Sequence, residues 1–255
     1  MKAATLIEFS AMEEQLKAAG LATFDQFMNL PATNVVRAVP GRSTIRVVVA
    51  GTAMYLKRYE TGYLSPGKKL LRLLHWPGFD DEAAREWRKI HLLRQHGFHT
   101  ATPVALGRHG FASFLLQQEI AGGVAADEYI QTLDLTARRQ LLRQIGALAR
   151  QLREAGFIHK DLYLKHIFVA DGKLYLIDLQ RVLGPRPHRE RWYLKDASAL
   201  AFSVRAHGKC SWTDVFRVYK AYAPGKTDKA WLRKLWPKIV RLLSRTPKYK
   251  RVWNT

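Results

Sequence analysis

Residues 159–166 read His-Lys-Asp-Leu-Tyr-Leu-Lys-His, and a second carboxylate, Asp178, follows at the end of an apolar run, Leu176-Ile177-Asp178. Two carboxylates brought to one cleft suit magnesium and phosphate chemistry. Asp161 would accept the proton of an attacking hydroxyl, and Asp178 would hold a divalent cation against phosphate oxygens. His166 is a poor magnesium ligand, since that ion prefers oxygen, so it either orients Asp161 or joins the metal site beside Asp178. A second pair lies upstream. Glu86 falls on the apolar face of a helix, where a lone carboxylate is costly to bury unless paired, and Lys57, late in a β-rich run, is its natural partner.

Local pattern says how these residues are positioned. Asp134 is placed to cap a helix whose apolar residues Leu141, Ile145, Leu148 and Leu152 recur at spacings of four, three and four, and Gly156 sits where it would stop. A loop carrying Asp161 follows. His166 to Val169 and Leu174 to Leu179 are then short apolar runs joined by Asp171-Gly172, a hairpin dipeptide, which folds Asp178 back toward Asp161. Upstream, Thr44 to Val49 and Ala53 to Tyr59 are β-rich runs joined at Ala50-Gly51-Thr52, with Lys57 in the second. Asp80 or Asp81 caps the helix that follows, in which Ala83, Glu86, Ile90 and Leu93 share a face and Gly97 ends the run.

The order Lys57, Glu86, Asp161, His166, Asp178 resembles that of the protein kinases. His-Lys-Asp stands for the catalytic-loop His-Arg-Asp, and Asp178-Leu179-Gln180 for the Asp-Phe-Gly metal site. His166 in the place of Asn, and a residue other than Gly after the metal Asp, are similar to the lipopolysaccharide core kinases of Gram-negative bacteria, the WaaP and Kdo-kinase type. Glu86-Trp87 and Thr102-Pro103-Val104 also look like this family, so the similarity runs from about Gly41 to about Ser203. The resemblance implies an α+β, two-lobed protein-kinase-like fold. Residues 1–120 would form a small antiparallel-sheet lobe that binds nucleotide, and residues 121–255 a mainly helical lobe with the catalytic loop, metal site and a basic carboxy-terminal helix. It implies ATP and Mg2+ as cofactors, Lys57 and Glu86 on the α- and β-phosphates, and a backbone hinge at Gln118, Glu119 and Ile120 that meets the adenine. It also implies a structural role for Asp196, tying down the catalytic-loop backbone.

The phosphate loop departs from the protein-kinase pattern: Pro40-Gly41-Arg42-Ser43 is a turn with one glycine. Arg42 and Ser43 still offer a guanidinium fork and a hydroxyl to phosphate. Lys160 and Lys165 are further candidates for neutralising phosphate, or are solvated loop lysines. Arg181 is placed to steady Asp178 or to bind an acceptor phosphate, or equally to lie at the surface as a strand-end arginine.

Composition narrows the alternatives. The chain has 255 residues and 47% hydrophobic content, enough for a real core. A single cysteine, Cys210, excludes an internal disulfide. Glu8, Glu13, Glu14 and Lys17 within Lys2 to Gly20 argue against a signal peptide, so a reducing cytoplasm is expected. The best membrane-span candidate, Val47 to Leu56, is too short and is broken by Gly51.

Charge points to the partner. With 42 Lys and Arg against 21 Asp and Glu, the balance of +21 attracts anions. Lys68, Lys69 and Arg72 cluster within Pro66 to Trp76, where an acceptor could dock. From Lys226 to Arg251, Trp231, Leu235, Ile239 and Leu242 follow one helical face, with Lys234, Lys238, Arg241 and Arg245 on others. That stripe packs on its own domain or lies on a membrane surface. The expected acceptor is a heptose hydroxyl of the anionic lipopolysaccharide core on lipid A, an amphiphile bearing phosphates and acidic sugars, at the cytoplasmic face of the inner membrane. An acidic carrier protein is a further candidate partner.

Three other readings compete. A Kdo kinase would share the whole motif skeleton. A kinase of the same fold could act on a protein or small cation, but aminoglycosides want a ring of carboxylates that this basic chain lacks. A non-enzymatic module could bind nucleic acid or an acidic protein, with Trp192-Tyr193 beside Arg189 and Arg191 stacking bases. No recognised nucleic-acid motif surrounds them, and no nucleic-acid partner is expected.

Overall fold

Ala50 and Gly51 carry positive φ angles of 48° and 75°, and Asp171 and Gly172 carry 48° and 69°. Two successive left-handed residues make the tight hairpin turn whose twist matches the flanking strands, and the two turns found here are those expected from the sequence. A computed structural model describes residues 5–31, 34–60, 65–67, 70, 81–206, 209–223 and 229–245. The chain divides into two compact units, Met1–Ala121 and Gly122–Thr255.

The first unit contains β1 (Thr5–Phe9), α1 (Glu13–Ala18), α2 (Phe24–Asn29), β2 (Val35–Val39), β3 (Arg42–Val49), β4 (Thr52–Tyr59), α3 (Glu82–Gln95), β5 (His99–Thr100), β6 (Pro103–His109) and β7 (Ala112–Gln118). Six strands form an antiparallel sheet in the order β1-β6-β7-β4-β3-β2. Alternation along β4 decides what each face carries. Met54 and Leu56 join Ile45, Phe114 and Leu116 in a core covered by α2, whose Phe27 stacks on Phe114 at 4.3 Å. Helix α2 starts at a capping box in which Thr23 and Gln26 satisfy each other's backbone amides. Lys57 is flanked by Leu56 and so takes the opposite face, toward α3. On β6, Gly107 makes room for its cross-strand neighbour, because a Cβ there would lie 1.9 Å from the Phe114 ring.

Of the two candidate caps for α3, Asp81 is the one the structure describes. It accepts from the Ala83 amide at 2.9 Å and the Ser113 hydroxyl at 2.7 Å, which ties the helix start to β7. Asp80 lies outside the described residues, as do Lys68, Lys69 and Arg72. The expected turn at Pro40 to Ser43 is shorter than read: Pro40-Gly41 make it and Arg42 already opens β3.

The second unit contains β8 (Val124–Ala125), α4 (Ala126–Thr132), α5 (Leu135–Glu154), β9 (Ile167–Ala170), β10 (Lys173–Leu176), α6 (Glu190–Ala206), α7 (Trp212–Tyr222) and α8 (Lys229–Ser244). Asp134 caps α5 through the amides of Thr136 and Ala137, and Leu141, Ile145, Leu148 and Leu152 are buried as their spacing predicts. Each such burial contributes roughly 1.5–3 kcal/mol. Gly146 lets α7 approach closely, since a Cβ there would stand 2.4 Å from the Val218 carbonyl oxygen.

Strand β10 ends at Leu176, earlier than the apolar run suggested, and His166 falls in a 3-10 turn (Leu164–His166) before β9. Asp178 adopts a left-handed conformation (φ 59°, ψ 56°), which stops the strand and opens a second short turn, Leu179–Arg181. Helix α8 buries Leu235, Ile239 and Leu243 against its own unit, packing on α6, and keeps Lys234, Lys238, Arg241 and Arg245 exposed. Leu235 and Ile239 of the expected stripe therefore pack internally, with Leu243 buried in place of the expected Leu242, which is only partly buried. The Trp231 side chain lies outside the description, as do Lys226 and Arg251.

Candidate active site

In the first unit, Lys57 Nζ donates to Glu86 Oε1 at 2.6 Å. Side-chain exposures of 12% for Lys57 and 1% for Glu86 place this pair inside the packing between β4 and α3. Leu56 and Trp87, which flank the pair in sequence, are themselves buried.

Around the expected hinge, the Gln118 amide donates to the Thr102 carbonyl at 2.8 Å and the Glu119 amide to the Ala53 carbonyl at 2.9 Å. Both donors thus serve the sheet, which leaves their carbonyls and Ile120 for any adenine contact. The Glu119 carboxylate accepts from Arg46 Nε (2.9 Å), Arg46 Nη2 (2.6 Å) and the Tyr55 hydroxyl (3.0 Å). Arg46 foremost, through its hydrogen bonds, holds the Glu119 carboxyl below the usual carboxylate range. This network went unread in the sequence. Its signal is the cross-strand position of Arg46 opposite Tyr55. Arg42 lays its guanidinium over the Tyr59 ring at 5.1 Å, and Ser43 pairs with Arg58 within the β3–β4 ladder.

In the second unit, the segment around His159 to Asp161 is anchored by α6. The Asp196 carboxylate on α6 accepts from the His159 amide at 2.6 Å, the tie the family resemblance implies. Burial pushes the Asp196 carboxyl up to about 7, against the His159 and Lys160 amides that favour its charged form. His159 is buried and its Nε2 faces the Ile177 carbonyl at 3.0 Å. A carbonyl only accepts, so Nε2 carries the proton. Burial, reinforced by His166, pushes the His159 imidazole down to about 4.

His166 joins the two carboxylate residues. Its Nδ1 lies 2.7 Å from the Asp161 backbone oxygen, so this nitrogen donates, and its Nε2 stands 3.8 Å from Asp178 Oδ2. In the neutral ring, Nε2 then presents a lone pair beside the Asp178 carboxylate. A histidine whose other nitrogen donates to a carbonyl is the usual arrangement of a metal ligand. Among the described residues no group of three or more His, Cys, Asp or Glu could hold a metal alone. The Asp178 carboxylate suits a magnesium that arrives with phosphate and water, as that ion usually binds, whereas the imidazole nitrogen is a weak partner for it.

The Asp161 carboxylate accepts from Arg181 Nη1 at 3.0 and 2.8 Å, and Lys195 Nζ stands 3.8 Å away. Arg181 therefore engages Asp161, not Asp178 as one sequence reading had it. The short turn after Asp178 swings its side chain back across the site. Lys195 was missed. Its signal is adjacency to Asp196, whose tie to His159 brings that turn of α6 up to the loop. Lys160 stands over the Trp192 ring at 4.8 Å, and Arg191 over the same ring at 5.1 Å, so the aromatic face proposed for base stacking carries cations instead. Lys165 lies 5.9 Å from the Tyr163 ring centroid.

Comparisons with known proteins identify the family. The model of the lipopolysaccharide kinase (Kdo/WaaP) family matches residues 25–222. The lipopolysaccharide core heptose(I) kinase WaaP of Escherichia coli is 28% identical over 206 residues, covering 74% of this chain and 77% of that protein. The protein of the same name from Pseudomonas aeruginosa is 29% identical over 189 residues, covering 67% and 69%. A solved structure of WaaP in complex with acyl carrier protein superposes with a TM-score of 0.70 at 24% identity, over 93% of this chain and 99% of that one. The fold is the expected α+β one, shared with that WaaP structure, with a sheet-bearing first unit and a mainly helical second. The chain belongs to the lipopolysaccharide kinase (Kdo/WaaP) family.

Proposed function

We propose that this protein transfers the γ-phosphoryl group of ATP to a heptose hydroxyl of the lipopolysaccharide inner core. The observation that carries the reading is the His166 bridge, one ring nitrogen on the Asp161 backbone and the other facing the Asp178 carboxylate. It supports a proton acceptor and a cation ligand in one site of the second unit. The curated relatives, named as core heptose(I) kinases, favour heptose over Kdo as the acceptor sugar.

The residues divide the work by chemistry. In the first unit, which we assign to nucleotide binding, the Lys57 ammonium, oriented by Glu86, neutralises the α- and β-phosphates. Arg42 and Ser43 at the start of β3 are candidates for further phosphate contacts, and the backbone at Gln118 to Ile120 for the adenine. In the second unit, Asp161 orients the acceptor hydroxyl and takes its proton as the oxygen attacks the γ-phosphorus. Asp178 and His166 would hold Mg2+, which supplies charge neutralisation at the phosphate oxygens when bound. His159 and Asp196 keep the loop in place.

The charge of +21 supports an anionic acceptor and a peripheral position on the inner face of the inner membrane, with the exposed cations of α8 as one contributor. No helix among the described residues is long and apolar enough to cross a membrane. The same charge suits an acidic carrier protein, and a WaaP structure has been solved with acyl carrier protein. Incubation with labelled ATP, magnesium and core lipopolysaccharide tests the reading: label should appear on the heptose and vanish with Asp161→Ala. Label on Kdo would reassign the sugar, and no label on any core acceptor would overturn the function.

A further inference from the structure

The Asp161 carboxylate is already engaged by cations of its own unit. Arg181 Nη1 donates to both of its oxygens, and Lys195 stands beside Oδ1. A general base must accept a hydrogen bond from the hydroxyl it deprotonates, so at least one of those oxygens has to be released before transfer. The release is easy. Arg181 is 60% exposed, and ion pairs facing water contribute little and exchange readily. What would draw the guanidinium away is a better partner, and a phosphate or carboxylate takes both of its forks at once. The surroundings suit such a group, because Lys195 adds a second cation and Lys160 and Arg191 flank the nearby Trp192 ring.

We propose that Arg181, with Lys195 beside it, receives an anionic group of the acceptor, and that its transfer from Asp161 to that group frees Asp161 to act. The proposal rests on the kinase reading above. With the guanidinium on the acceptor, the hydroxyl oxygen bonds to the γ-phosphorus and the bond from that phosphorus to the β,γ-bridging oxygen breaks. ADP leaves, and the hydroxyl proton passes to Asp161 and then to solvent. Without an acceptor, Arg181 keeps Asp161 occupied, and water is a poor substitute nucleophile. One residue would thus select the acceptor and suppress wasteful hydrolysis.

The test uses the full chain and three probes: deacylated lipid A–core oligosaccharide, the same molecule stripped of phosphate by hydrofluoric acid, and the same with its carboxyl groups reduced. The wild type should lose affinity for whichever probe lacks the recognised anion, which tells phosphate from carboxylate. Arg181→Gln should raise KM for the intact probe about tenfold to a hundredfold, the range of a lost hydrogen bond to a charged group, and abolish discrimination among the probes. Arg181→Lys should recover part of that affinity. Acceptor-free ADP release should rise in Arg181→Gln, whereas a merely structural arginine would lower it. Discrimination retained at the wild-type level, or a fall in acceptor-free ADP release, overturns the proposal. Should Arg181→Gln fail to fold, Lys195→Gln must narrow the discrimination, and unchanged discrimination counts against it. If the wild type releases ADP but phosphorylates none of the probes, the core-kinase reading fails, and the change in ADP release alone decides the role of Arg181.

Discussion

Each unit holds one ion pair on a carboxylate singled out from the sequence, and the two pairs are built differently. Lys57–Glu86 lies inside the first unit, 12% and 1% exposed, with buried Leu56 and Trp87 as sequence neighbours. Arg181–Asp161 faces water in the second unit, 60% and 21% exposed, at a comparable 2.8 Å. Similar distances therefore hide opposite energetics. Breaking a buried pair from one side strands a charge and costs about 3–5 kcal/mol, whereas an exposed pair contributes about 0–1 kcal/mol. The first pair is a fixed frame, and the second is a contact that can be exchanged at little cost.

The contrast can be broken at several points. Asp161→Asn should cut kcat about a thousandfold while leaving the melting temperature near that of the wild type, since general-base catalysis contributes about 10²–10⁴. A large loss of stability in that variant would make Asp161 part of the frame. Glu86→Ala should lower unfolding free energy by about 3 kcal/mol in denaturant titration, because the Lys57 ammonium is left without its carboxylate. The double variant Lys57→Met/Glu86→Leu should regain most of that stability yet bind no nucleotide. Arg181→Gln should shift stability by less than about 1 kcal/mol, the mark of an exchangeable pair. His166→Asn, which replaces imidazole by an amide oxygen donor, should leave folding intact and alter the magnesium dependence of turnover; an unchanged metal titration would remove His166 from the ion's contacts.

A separate effect concerns pH. Folding raises the Asp196 carboxyl from 3.8 to about 7, so the folded chain holds a proton that the unfolded chain has released. That contribution to stability is complete below about pH 4 and is lost as pH rises through about 7. His159 acts in the opposite sense, because its folded value drops from 6.5 to about 4. Its contribution is present above about pH 6.5 and is lost as pH falls toward about 4. Asp196→Asn keeps an oxygen for the His159 amide and should remove the alkaline loss alone. Thermal melts at about pH 5 and pH 8 would show it, and an unchanged difference between them would mean that Asp196 does not titrate there.

Much of this was legible wherever a local rule and a long-range need coincided. The cap at Asp134, the four-three-four spacing through Leu152 and the two left-handed hairpin turns are local, and each formed as read. Glu86 was legible because a carboxylate on an apolar helical face requires a partner. The end of β10 was misjudged because the apolar residues continue to Leu179, while the left-handed Asp178 backbone, set by the site around it, breaks the strand. Side-chain direction was the least readable feature. Nothing in the order Asp178, Leu179, Gln180, Arg181 says that a short turn carries Arg181 across to Asp161, or that Arg46 and Tyr55 close on Glu119. The carboxy-terminal helix illustrates a further limit, since an amphipathic pattern does not name the surface it covers; here α6 takes the apolar side.

Gly146 carries no chemistry, yet a methyl group there would press on the Val218 carbonyl at 2.4 Å and on the Ala221 methyl at 2.7 Å. Backbone cannot yield as a flexible side chain can, so Gly146→Ala would act as a wedge that tilts α5 away from α7. The loop leading to Asp161 hangs from the far end of α5, which makes this uncharged interior position a lever on turnover and a place where a larger residue would be poorly tolerated.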